Sequence, residues 1–501
     1  MNVMMLLEMA AQGFGERVAF SNGEASMTYG QLFGAAQQAA RQLKSRDCEY
    51  VAMLGVSSLA LPIGLFASAC AGLPFVPLNY RLAAKEIEAL LQRIQPAWLI
   101  TDRERVESRP VGSGIEAIEF QQFIDLARAG HEGSRQQAWS MDQEDVGVLL
   151  FTSGTTGAPK AAVLRQKHLV SYIFASVEFG CAAESDAALV AVPPYHIAGI
   201  AAVLSSVFAG RRVVQLPNFS AGEWIKLARR ERVTNAFLVP TMLAQIVNEL
   251  EGEASADMPH LRALSYGGGK MPQSLIERAM ALFPETDFTN AYGLTETSST
   301  IALLGPNDHR DAAASQNPQL RRRLTSVGRP LPSVEVEIRD EAGAVLAPGQ
   351  RGEIYVRGEQ VSGEYVGRGS SLDADGWFPT RDAGSLDEEG YLFLEGRADD
   401  VIVRGGENLS PGEIEDVLLA HQAVADAAVF GVPDEQWGEA VAAIVVIKPG
   451  EAVSTQELQA WVGDQLRSSR VPQSIHFTEE LPYNEMGKLL RRVLKNRYQG
   501  H

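Results

Sequence analysis

The chain has few cysteines, no long hydrophobic run and no surplus of positive charge. Its three cysteines are Cys48, Cys70 and Cys181. This odd, widely spaced set argues against a disulfide framework or a zinc site and favours a reducing compartment. No segment approaches the roughly 20 consecutive apolar residues that cross a bilayer. With 44 Lys and Arg against 62 Asp and Glu, the net charge is −18, which argues against nucleic-acid or anionic-membrane partners but leaves room for local phosphate-binding pockets.

The start of the chain also lacks the features of a targeting signal. Residues 1–10 are mostly apolar, but no basic leader precedes them and Glu8 interrupts the run. This pattern predicts an amphipathic first helix rather than a signal peptide. Together with the composition, it leads us to expect a soluble, cytoplasmic protein.

The 501 residues, 46% of them hydrophobic, suffice for about two to four compact units. From about residue 30, predicted strands alternate with predicted helices, which indicates parallel sheets flanked by helices. Helices are predicted over residues 29–43, 60–71, 84–93, 167–180, 221–230 and 274–282, and strands over 51–56, 75–78, 98–101, 188–192 and 235–239. Residues 109–140 lack this alternation and are expected to be peripheral, whereas residues 305–323 are expected to form a solvated loop.

The pattern changes toward the C-terminus. Short strands joined by Gly and Asp turns predict a small β-rich subdomain at about residues 327–396, and residues 397–501 predict an α+β terminal domain. In the latter, Ser410-Pro-Gly-Glu413 predicts a helix with Ser410 as N-cap, Pro411 at the first position and Glu413 completing a capping box. The expected fold class is α/β, with a large N-terminal domain over residues 1–396 and a separate C-terminal domain.

One loop has the composition of a phosphate-binding segment. It runs from Thr152 to Lys160 with the sequence Thr-Ser-Gly-Thr-Thr-Gly-Ala-Pro-Lys, directly after the apolar run 146–151. Glycines let backbone N–H groups approach anionic oxygens, hydroxyls donate further hydrogen bonds, and the lysine adds a positive charge. The spacing differs from the common nucleotide P-loop. A plain surface turn rich in small residues is the alternative that this loop alone leaves open.

Two later predicted strands also end in turn-forming or polar residues. The stretch 264–269 runs into three glycines, and the strand after it leads into Asn290-Ala-Tyr-Gly-Leu-Thr-Glu296. Open α/β sheets bind ligands at the ends of their strands. We therefore expect the strand ends after Phe151, Ser265 and Thr289 to converge on one crevice.

Six motifs occur together along nearly the whole chain. They are Thr152–Lys160, Tyr292–Glu296, Gly376–Asp382, Gly396-Arg397, Arg404–Ser410 and Asn484–Lys488. In this order and at these separations they resemble the adenylate-forming superfamily, which includes acyl- and aryl-CoA synthetases, amino-acid adenylation domains and firefly-type luciferases. Each motif alone is weakly specific, whereas six in register are highly specific. The chain is most similar to an AMP-forming acyl-CoA synthetase.

This resemblance implies a site for ATP and Mg²⁺ in the N-terminal domain. The β- and γ-phosphates would lie under the loop residues Thr152, Ser153, Gly154, Thr155, Thr156, Gly157 and Lys160. Gly267, Gly268, Gly269 and Tyr292 would flank the adenine, and Asn290, Ala291 and Gly293 would also bind the nucleotide. Thr295 would bond the α-phosphate and Glu296 would hold Mg²⁺. Asp382 and Arg397 would bind the ribose, although Asp382 by itself would also suit a simple turn.

The resemblance also implies catalytic functions for a mobile C-terminal domain. Lys488 would bridge the substrate carboxylate and the α-phosphate, although a Gly-Lys turn in isolation is more typical of a solvated lysine. Asp399 would be the hinge about which this domain rotates between adenylation and thioester formation. The rotation would bring in Arg404, Gly405, Gly406 and Glu407, which would line a tunnel for a pantetheine thiol.

Three positions depart from the pattern of the superfamily. Ala161 and Arg381 stand where glycine is frequent, which raises a question about the local backbone geometry. Ser469-Arg470 stands where an aromatic–basic pair is frequent, which raises a question about that contact with CoA. None of these departures removes a catalytic functional group.

The acyl pocket is expected to be mostly apolar. Tyr195 and His196 lie where amino-acid-activating relatives usually carry an aspartate, so a buried substrate ammonium would lack a counter-charge. The resemblance makes His196 a catalytic or gating residue, although a lone histidine after a strand is more often structural. Further walls are expected from Tyr195, Ile200, Phe237, Val239, Tyr266 and Ser298. Such a cavity fits a fatty, aryl or alicyclic acid.

CoA is the expected acceptor, because the terminal domain and its Gly405-Gly406 loop are complete. A stand-alone ligase that loads an acyl carrier protein is the alternative, since a carrier's phosphopantetheine would use the same tunnel. A catalytically silent nucleotide-binding scaffold is a third hypothesis, and the retained Lys488, Glu296 and Asp382 argue against it. The expected partners are ATP, a small carboxylic acid and CoA, with a carrier protein and a homodimer left open.

Overall fold

The computed structural model describes residues 1–23, 25–108, 114–129, 137–152, 159–397, 400, 402–404, 407–434, 437–484 and 489–498. Within these residues the strands form four sheets, two large ones built mainly from the first two-thirds of the chain and two smaller ones after them. Helices cover the faces of the large sheets. This arrangement confirms the expected α/β fold class.

The first large sheet has nine strands within the described residues. In spatial order they are β15 (Arg329–Pro330), β14 (Ser299–Leu304), β13 (Asp287–Leu294), β12 (Ala263–Gly267), β11 (Asn235–Leu238), β9 (Ala187–Val190), β10 (Arg212–Gln215), β1 (Val18–Asn22) and β2 (Ala25–Thr28). The strands from β13 to β1 are parallel, and antiparallel strands close both edges. The carboxyl ends of β12 and β13 therefore lie side by side.

The second large sheet has eight strands within the described residues. In spatial order they are β19 (Gly369–Ser370), β18 (Glu364–Tyr365), β8 (Lys160–Arg165), β7 (Val146–Thr152), β4 (Phe75–Leu78), β3 (Tyr50–Leu54), β5 (Ala97–Thr101) and β6 (Ile115–Glu119). The candidate phosphate loop joins β7 to the antiparallel β8. Strand β18 pairs with β8 in turn, so a short segment from the later part of the chain lies next to this loop.

Two smaller sheets follow. One is antiparallel and contains β16 (Glu335–Arg339), β17 (Gly352–Arg357), β20 (Phe378–Leu386) and β21 (Leu392–Arg397). The other contains β23 (Glu407–Leu409), β22 (Ile402–Arg404), β25 (Gly438–Ile447), β24 (Val424–Asp434) and β26 (Ser474–Thr478). Strands β18 and β19, which also come from the region 327–396 where a β-rich subdomain was predicted, join the second large sheet instead.

The helices form layers around the two large sheets. They are α1 (Val3–Phe14), α2 (Tyr29–Lys44), α3 (Ala60–Ala71), α4 (Ala84–Leu91), α5 (Arg103–Glu107), α6 (Phe120–Arg128), α7 (Gln166–Ser176), α8 (Ile197–Ala209), α9 (Ala221–Arg230), α10 (Pro240–Glu249), α11 (Gln273–Leu282), α12 (Pro306–Ala314), α13 (Pro318–Arg322), α14 (Pro411–Leu419), α15 (Thr455–Gln465) and α16 (Arg491–Tyr498). None of the helices within the described ranges combines the length and apolar character needed to span a bilayer.

The strand sequences are continuously apolar because both faces of each large sheet are covered. In β3, Val51 and Met53 face the largest hydrophobic cluster, which also contains residues of α1, α2, α3 and α8. Ala52 and Leu54 on the other face pack in a cluster with α4. The outer face of the nine-stranded sheet packs against α9, α10 and α11. The central helices thus lie between the two sheets.

Two segments that were expected to be irregular contain regular elements. Residues 115–128 form β6 and α6 within the region 109–140, which the sequence predicted to be less regular and peripheral. Residues 305–323 were expected to form a solvated loop, but they include α12 and α13. Helix α12 escaped prediction because its sequence is largely polar. Only His309 and Ala312 form its buried face.

The helix predicted after Ser410 is present, but its capping box is not. Helix α14 has Ser410 at the N-cap and proline at the first position, as expected. The Ser410 hydroxyl, however, donates to the Glu395 carbonyl at 3.0 Å. The Glu413 carboxylate accepts a hydrogen bond from Arg470 at 2.7 Å. Both side chains are therefore engaged elsewhere, and one of these bonds ties α14 to β21.

Candidate active site

The ends of β12 and β13 form a flat, closely packed edge. Gly267 pairs with Ala291 across the two strands, and a Cβ at Gly267 would lie only 2.1 Å from the Ala291 carbonyl oxygen. Gly268 has a φ of 82°, a left-handed conformation that favours glycine. Glycine is thus required here by close backbone approach and by the turn. The predicted adenine-binding segments 267–269 and 290–293 are indeed neighbours.

Tyr292 links this edge to the four-stranded sheet. Its hydroxyl donates to Asp382 Oδ2 at 2.7 Å. Burial, followed by the negative charge of Asp382, raises the pKa of Tyr292 well above its usual value, so the hydroxyl remains a donor. The ring is 7% exposed and belongs to the hydrophobic cluster that contains Ile301 and Val327. Little of its face is therefore open to stack on an adenine.

Asp382 and Arg397, both predicted to bind the ribose, form an ion pair. Arg397 Nη1 donates to Asp382 Oδ1 at 2.7 Å and to the Thr380 carbonyl at 3.3 Å. The two residues face each other across β20 and β21. Burial lowers the pKa of the Arg397 guanidinium, but the carboxylates of Asp382 and, more weakly, Glu296 raise it, and the net direction is upward. Glu296 therefore lies within electrostatic reach of the pair.

A sharp turn presents Thr295 and Glu296. Residues Thr295–Thr297 form one 3₁₀ turn, and the Thr297 hydroxyl holds it by accepting from the Leu294 N–H at 2.9 Å. Ser298 and Ser299 follow with φ values of 56° and 115°. Non-glycine residues with positive φ cost about 1–3 kcal/mol each and cluster at functional sites. The strain therefore supports a functional assignment for this turn.

Glu296 and Lys160 both contact Tyr365. The Tyr365 hydroxyl donates to Glu296 Oε1 at 2.6 Å, and Lys160 Nζ lies 5.4 Å from the centroid of the Tyr365 ring. Burial and the nearby Glu296 charge raise the pKa of Tyr365, which keeps the hydroxyl protonated. Sequence reasoning missed Tyr365, because it lies outside the segments that bear the predicted phosphate and metal contacts.

The base of the phosphate loop is closed by the hairpin that carries it. Thr152 pairs with Lys160, and the Thr152 hydroxyl donates to the Lys160 carbonyl at 3.4 Å. Arg93, which lies just after the end of α4, donates from Nη1 to the Pro159 carbonyl at 2.6 Å. Strand β7 belongs to the eight-stranded sheet, whereas β12 and β13 belong to the other large sheet. The three predicted strand ends therefore come from two sheets, not from one.

Several predicted functional residues lie outside the described residues: Ser153, Gly154, Thr155, Thr156, Gly157, Asp399, Gly405, Gly406 and Lys488. Of their neighbours, Arg404 and Glu407 pair across β22 and β23. Arg404 Nη1 donates to the Ser469 carbonyl at 2.7 Å, and its guanidinium lies 5.4 Å from the centroid of the Trp437 ring. Ser469, one of the positions that differ from the superfamily pattern, thus contacts Arg404 through its backbone carbonyl.

Tyr195 and His196, two residues of the predicted acyl pocket, directly precede α8, and His196 is its N-cap. Their rings lie 4.6 Å apart, and Tyr80 stacks edge-on against Tyr195 at 5.5 Å. Burial, with a smaller effect of the positive Arg81, lowers the pKa of His196 to about 4. The imidazole is therefore neutral at physiological pH. A neutral tyrosine–histidine pair is consistent with a pocket that rejects a substrate ammonium.

Three buried polar atoms at the predicted pocket lack a hydrogen-bond partner within the described part of the chain. They are the Tyr195 hydroxyl, His196 Nε2 and the Ser298 hydroxyl. Buried polar groups are normally satisfied, and each exception costs free energy unless a ligand or water meets it. These atoms are therefore candidates for contact with a polar group of the substrate.

Not every predicted pocket wall shares one surface. Ile200 is fully buried in the central cluster, and Phe237 packs against both that cluster and the outer one. Val239 and Tyr266 are fully buried in the outer cluster, where the Tyr266 hydroxyl lies 2.8 Å from His309 Nε2. Since Phe237 is opposite Ser265 and side chains alternate along a strand, Tyr266 points to the other face. Phe237 and Tyr266, both named among the expected walls, therefore lie on opposite faces of the sheet.

Ala161 and Arg381 stand where glycine is frequent in the superfamily, and the structure accommodates both side chains. Ala161 pairs with Phe151 in β8 and is 3% exposed, so its methyl group is accommodated in the core. Arg381 has a φ of 62°, which explains why glycine would suit this position. Its side chain is 60% exposed and approaches Glu353 at 3.8 Å. The arginine thus tolerates a strained conformation immediately before Asp382.

An open cleft of about 670 Å³ lies apart from these residues, between α7 and the segment that precedes β18. Four of its charged side chains are matched in pairs, Arg165 with Glu364 and Lys167 with Glu144, whereas Glu359 accepts a hydrogen bond from the Ser171 hydroxyl. None of the predicted ATP-contacting residues that the structure describes lines this cleft. Charge and composition thus give no reason to assign this cleft to the nucleotide.

Family models match both parts of the chain. A model described as AMP-binding enzyme matches residues 7–366, and one described as AMP-binding enzyme C-terminal domain matches residues 413–488. The chain is 33% identical over 493 residues to fatty acid–acyl-carrier-protein ligase ScoC of Streptomyces coeruleorubidus, covering 95% of this chain and 92% of that protein. It is 32% identical over 500 residues to 2-succinylbenzoate–CoA ligase of Bacillus subtilis, covering 97% and 96%.

Solved structures give the same result. The B. subtilis o-succinylbenzoate CoA synthetase (MenE) in complex with the acyl-adenylate intermediate OSB-AMP has a TM-score of 0.83 and 30% identity, covering 98% of this chain and 97% of that one. ATP-bound MatB of Rhodopseudomonas palustris has a TM-score of 0.88 and 25% identity, covering 100% and 99%. The resemblance inferred from the six motifs is confirmed: this chain belongs to the AMP-binding enzyme family, within the adenylate-forming superfamily.

Proposed function

We propose that this protein uses ATP and Mg²⁺ to activate a hydrophobic carboxylic acid. A carboxylate oxygen attacks the α-phosphorus, pyrophosphate leaves, and an acyl-adenylate remains. The thiol of CoA then attacks the acyl carbon, which gives acyl-CoA and releases AMP. Its family membership and the CoA ligases among its relatives support this reaction.

The observation that carries the proposal is the grouping of four charged residues. Lys160 contacts the ring of Tyr365, and Glu296 contacts its hydroxyl. Asp382 and Arg397 form an ion pair on which the charge of Glu296 acts. Two cations and two carboxylates from four separate segments of the chain thus meet at the strand ends. This is the charge pattern that a metal–nucleotide complex needs.

In our proposal each group has a defined function toward ATP. Gly267–Gly269 lie against the adenine, and Asp382 accepts hydrogen bonds from the ribose hydroxyls. Thr295 donates to the α-phosphate, and the loop 152–160 with Lys160 binds the phosphates that leave. A single carboxylate, Glu296, suits Mg²⁺, which is often held by one or two carboxylates together with substrate phosphates. The bound metal would neutralise phosphate charge during the reaction.

The functions of the C-terminal residues are proposed from the resemblance alone. Lys488 would stabilise the charge that develops between the carboxylate and the α-phosphate, and a positioned donor of this kind is typically worth about 10²–10³-fold in rate. Asp399 would be the hinge, and Arg404, Gly405, Gly406 and Glu407 would line the thiol tunnel. Replacement of Lys488 by alanine should nearly abolish acyl-adenylate formation while ATP still binds. Unchanged pyrophosphate release would remove this lysine from the mechanism.

The acyl pocket favours a largely apolar acid that has no charge other than its carboxylate and that carries a polar substituent. His196 is uncharged at physiological pH, and Ile200 and Phe237 contribute apolar surface. The unpartnered hydroxyl of Tyr195 and His196 Nε2 would be satisfied by a hydroxyl, methoxy or keto group on the acid. Aryl acids with oxygen substituents therefore belong in any substrate panel beside plain fatty and alicyclic acids.

A carrier protein is the second candidate acceptor, and the similarity to an acyl-carrier-protein ligase is the observation that favours it. The discriminating experiment is a screen for ATP-dependent AMP release over carboxylic acids, with and without CoA. AMP that forms only with CoA supports the proposed reaction. An adenylate that persists with CoA and is discharged by a phosphopantetheinylated carrier supports the second candidate. A panel without AMP or adenylate would count against both.

A further inference from the structure

Tyr365 is held in place by the strand that carries the phosphate-loop lysine. It lies in β18, where it pairs with Ala162 of β8. The next residue, Val366, donates its N–H to the Ala161 carbonyl at 3.0 Å. Lys160 is only one residue before Ala161. The position of the tyrosine relative to Lys160 is therefore set by backbone pairing, not by side-chain packing alone.

An ion pair on the opposite face of β18 fixes its orientation. Arg165 donates two hydrogen bonds to the Glu364 carboxylate, each at 2.8 Å. Two parallel bonds of this type are strong and geometrically specific. Successive residues of a strand point to opposite faces, so Glu364 in this pair directs Tyr365 to the other side, toward Glu296. The Ser362 N–H adds a bond to the Glu296 carbonyl at 2.8 Å.

Tyr365 contacts both charged groups through different parts of its side chain. The hydroxyl donates to the Glu296 carboxylate at 2.6 Å, while the ring faces the Lys160 ammonium at 5.4 Å. Two opposite charges that contact the same side chain attract each other in a partly buried site. Among the described residues, no ion pair joins Lys160 to Glu296, and each group instead contacts Tyr365. A direct pair would take both groups away from a metal–nucleotide complex.

We propose that Tyr365 is a positioning residue that keeps Lys160 and Glu296 apart and orients each for the metal–ATP complex. Its hydroxyl directs the carboxylate toward the metal. Its ring keeps the ammonium over the phosphates by a cation–π contact. This inference rests on the proposed function, since it assigns Glu296 to Mg²⁺ and Lys160 to phosphate.

Two substitutions separate the contributions of the hydroxyl and the ring. Tyr365→Phe keeps the ring, so only the orientation of Glu296 is lost. We expect about 10-fold weaker ATP binding in Mg²⁺, the loss of one hydrogen bond to a charged group, and unchanged ATP binding in EDTA. Excess Mg²⁺ should restore the affinity of this variant. Tyr365→Leu removes the ring as well, and it should weaken ATP binding in both conditions, with no rescue by Mg²⁺.

Tyr391→Phe is a matched control. The Tyr391 hydroxyl donates to Asp308 Oδ1 at 2.6 Å, and the Arg323 guanidinium lies 4.2 Å from its ring centroid. The chemistry is the same, but none of these residues is assigned to ATP. Calorimetric ATP titrations of all variants, with and without Mg²⁺, should show a metal-dependent loss only for Tyr365→Phe.

The outcomes distinguish this inference from the function on which it rests. If wild-type protein binds ATP without any dependence on Mg²⁺, both the metal assignment and the inference fail. If wild type shows the dependence and Tyr365→Phe shows the same dependence, only the inference is overturned. An equal loss in Tyr391→Phe would also overturn it, because the effect would then be a general loss of stability. Melting temperatures verify folding, and Tyr365→Phe suffices if the leucine variant does not fold.

Discussion

Replacement of Asp382 by asparagine tests the site where the structure is most completely described. The carboxylate is 9% exposed and accepts hydrogen bonds from Tyr292 and Arg397, each at 2.7 Å. Asparagine has almost the same shape but presents one oxygen and one NH₂ group in place of two acceptors. One of the two donors must therefore face another donor, and Arg397 loses its counter-charge.

The size of the effect follows from these contacts. A hydrogen bond to a charged group contributes about 1.5–3 kcal/mol, and breaking a fully buried ion pair costs about 3–5 kcal/mol. The Arg397 side chain is 28% exposed, so solvent screens part of the loss. We expect Asp382→Asn to reduce stability by about 2 kcal/mol. If Asp382 binds the ribose hydroxyls, ATP affinity should also fall by about 10- to 100-fold.

A matched variant separates stability from nucleotide binding. Asp186 is 7% exposed, pairs with Arg262 and accepts a hydrogen bond from the Ala183 N–H, but it is remote in function from the ATP residues. Asp186→Asn should lower the melting temperature while ATP affinity stays at the wild-type value. Thermal melts and ATP titrations of both variants form the assay. Unchanged ATP affinity in Asp382→Asn, or an equal loss in Asp186→Asn, would refute the assignment of Asp382 to the ribose.

Three further predictions follow from individual residues. Tyr195→Phe removes a buried hydroxyl without a partner, so the melting temperature of the free protein should not fall, while kcat/KM should drop for oxygen-substituted acids only. Arg381→Gly relieves a positive φ and should stabilise the protein by about 1 kcal/mol; a lower melting temperature would contradict this. Burial and two neighbouring cations lower the pKa of His168 to about 4. In the unfolded chain this histidine binds a proton at about pH 6.5, so the contribution of His168 to stability should be constant above that pH. It should fall by up to about 3 kcal/mol as the pH drops toward 4. In His168→Gln the free energy of unfolding, measured by denaturation at a series of pH values, should therefore depend less on pH over this range.

The architecture could be predicted largely because local sequence and tertiary environment agree. The strand at residues 75–78 and the helix at 60–71 have the predicted bounds, since both are mostly apolar, the strand begins directly after Pro74 and the helix ends directly before Gly72. The layers follow from the same signal, because sheets covered on both faces need apolar residues at every position. Helix α12 was missed because a polar helix with two buried residues gives almost no periodic signal.

The site was predictable only where a motif is contiguous. The segments 267–269 and 290–296 were correctly expected to be neighbours, because each ends a strand of an alternating pattern. Tyr365 was not found, because its contacts join residues far apart in the chain: Glu296 is 69 positions away, and the pair Arg165–Glu364 spans 199. The face of the sheet to which Tyr266 points was not predicted either. It depends on strand register, which local sequence does not specify.

The central claim is that this chain joins a carboxylate oxygen to the α-phosphorus of ATP. Transfer of ¹⁸O from a labelled carboxylic acid tests it most directly. A turnover reaction with ATP, Mg²⁺, CoA and the labelled form of any acid active in the AMP-release screen should yield AMP that carries one ¹⁸O atom, because thiol attack on the acyl-adenylate leaves that oxygen on phosphorus. Unlabelled AMP, or label found in inorganic phosphate together with ADP, would contradict the account.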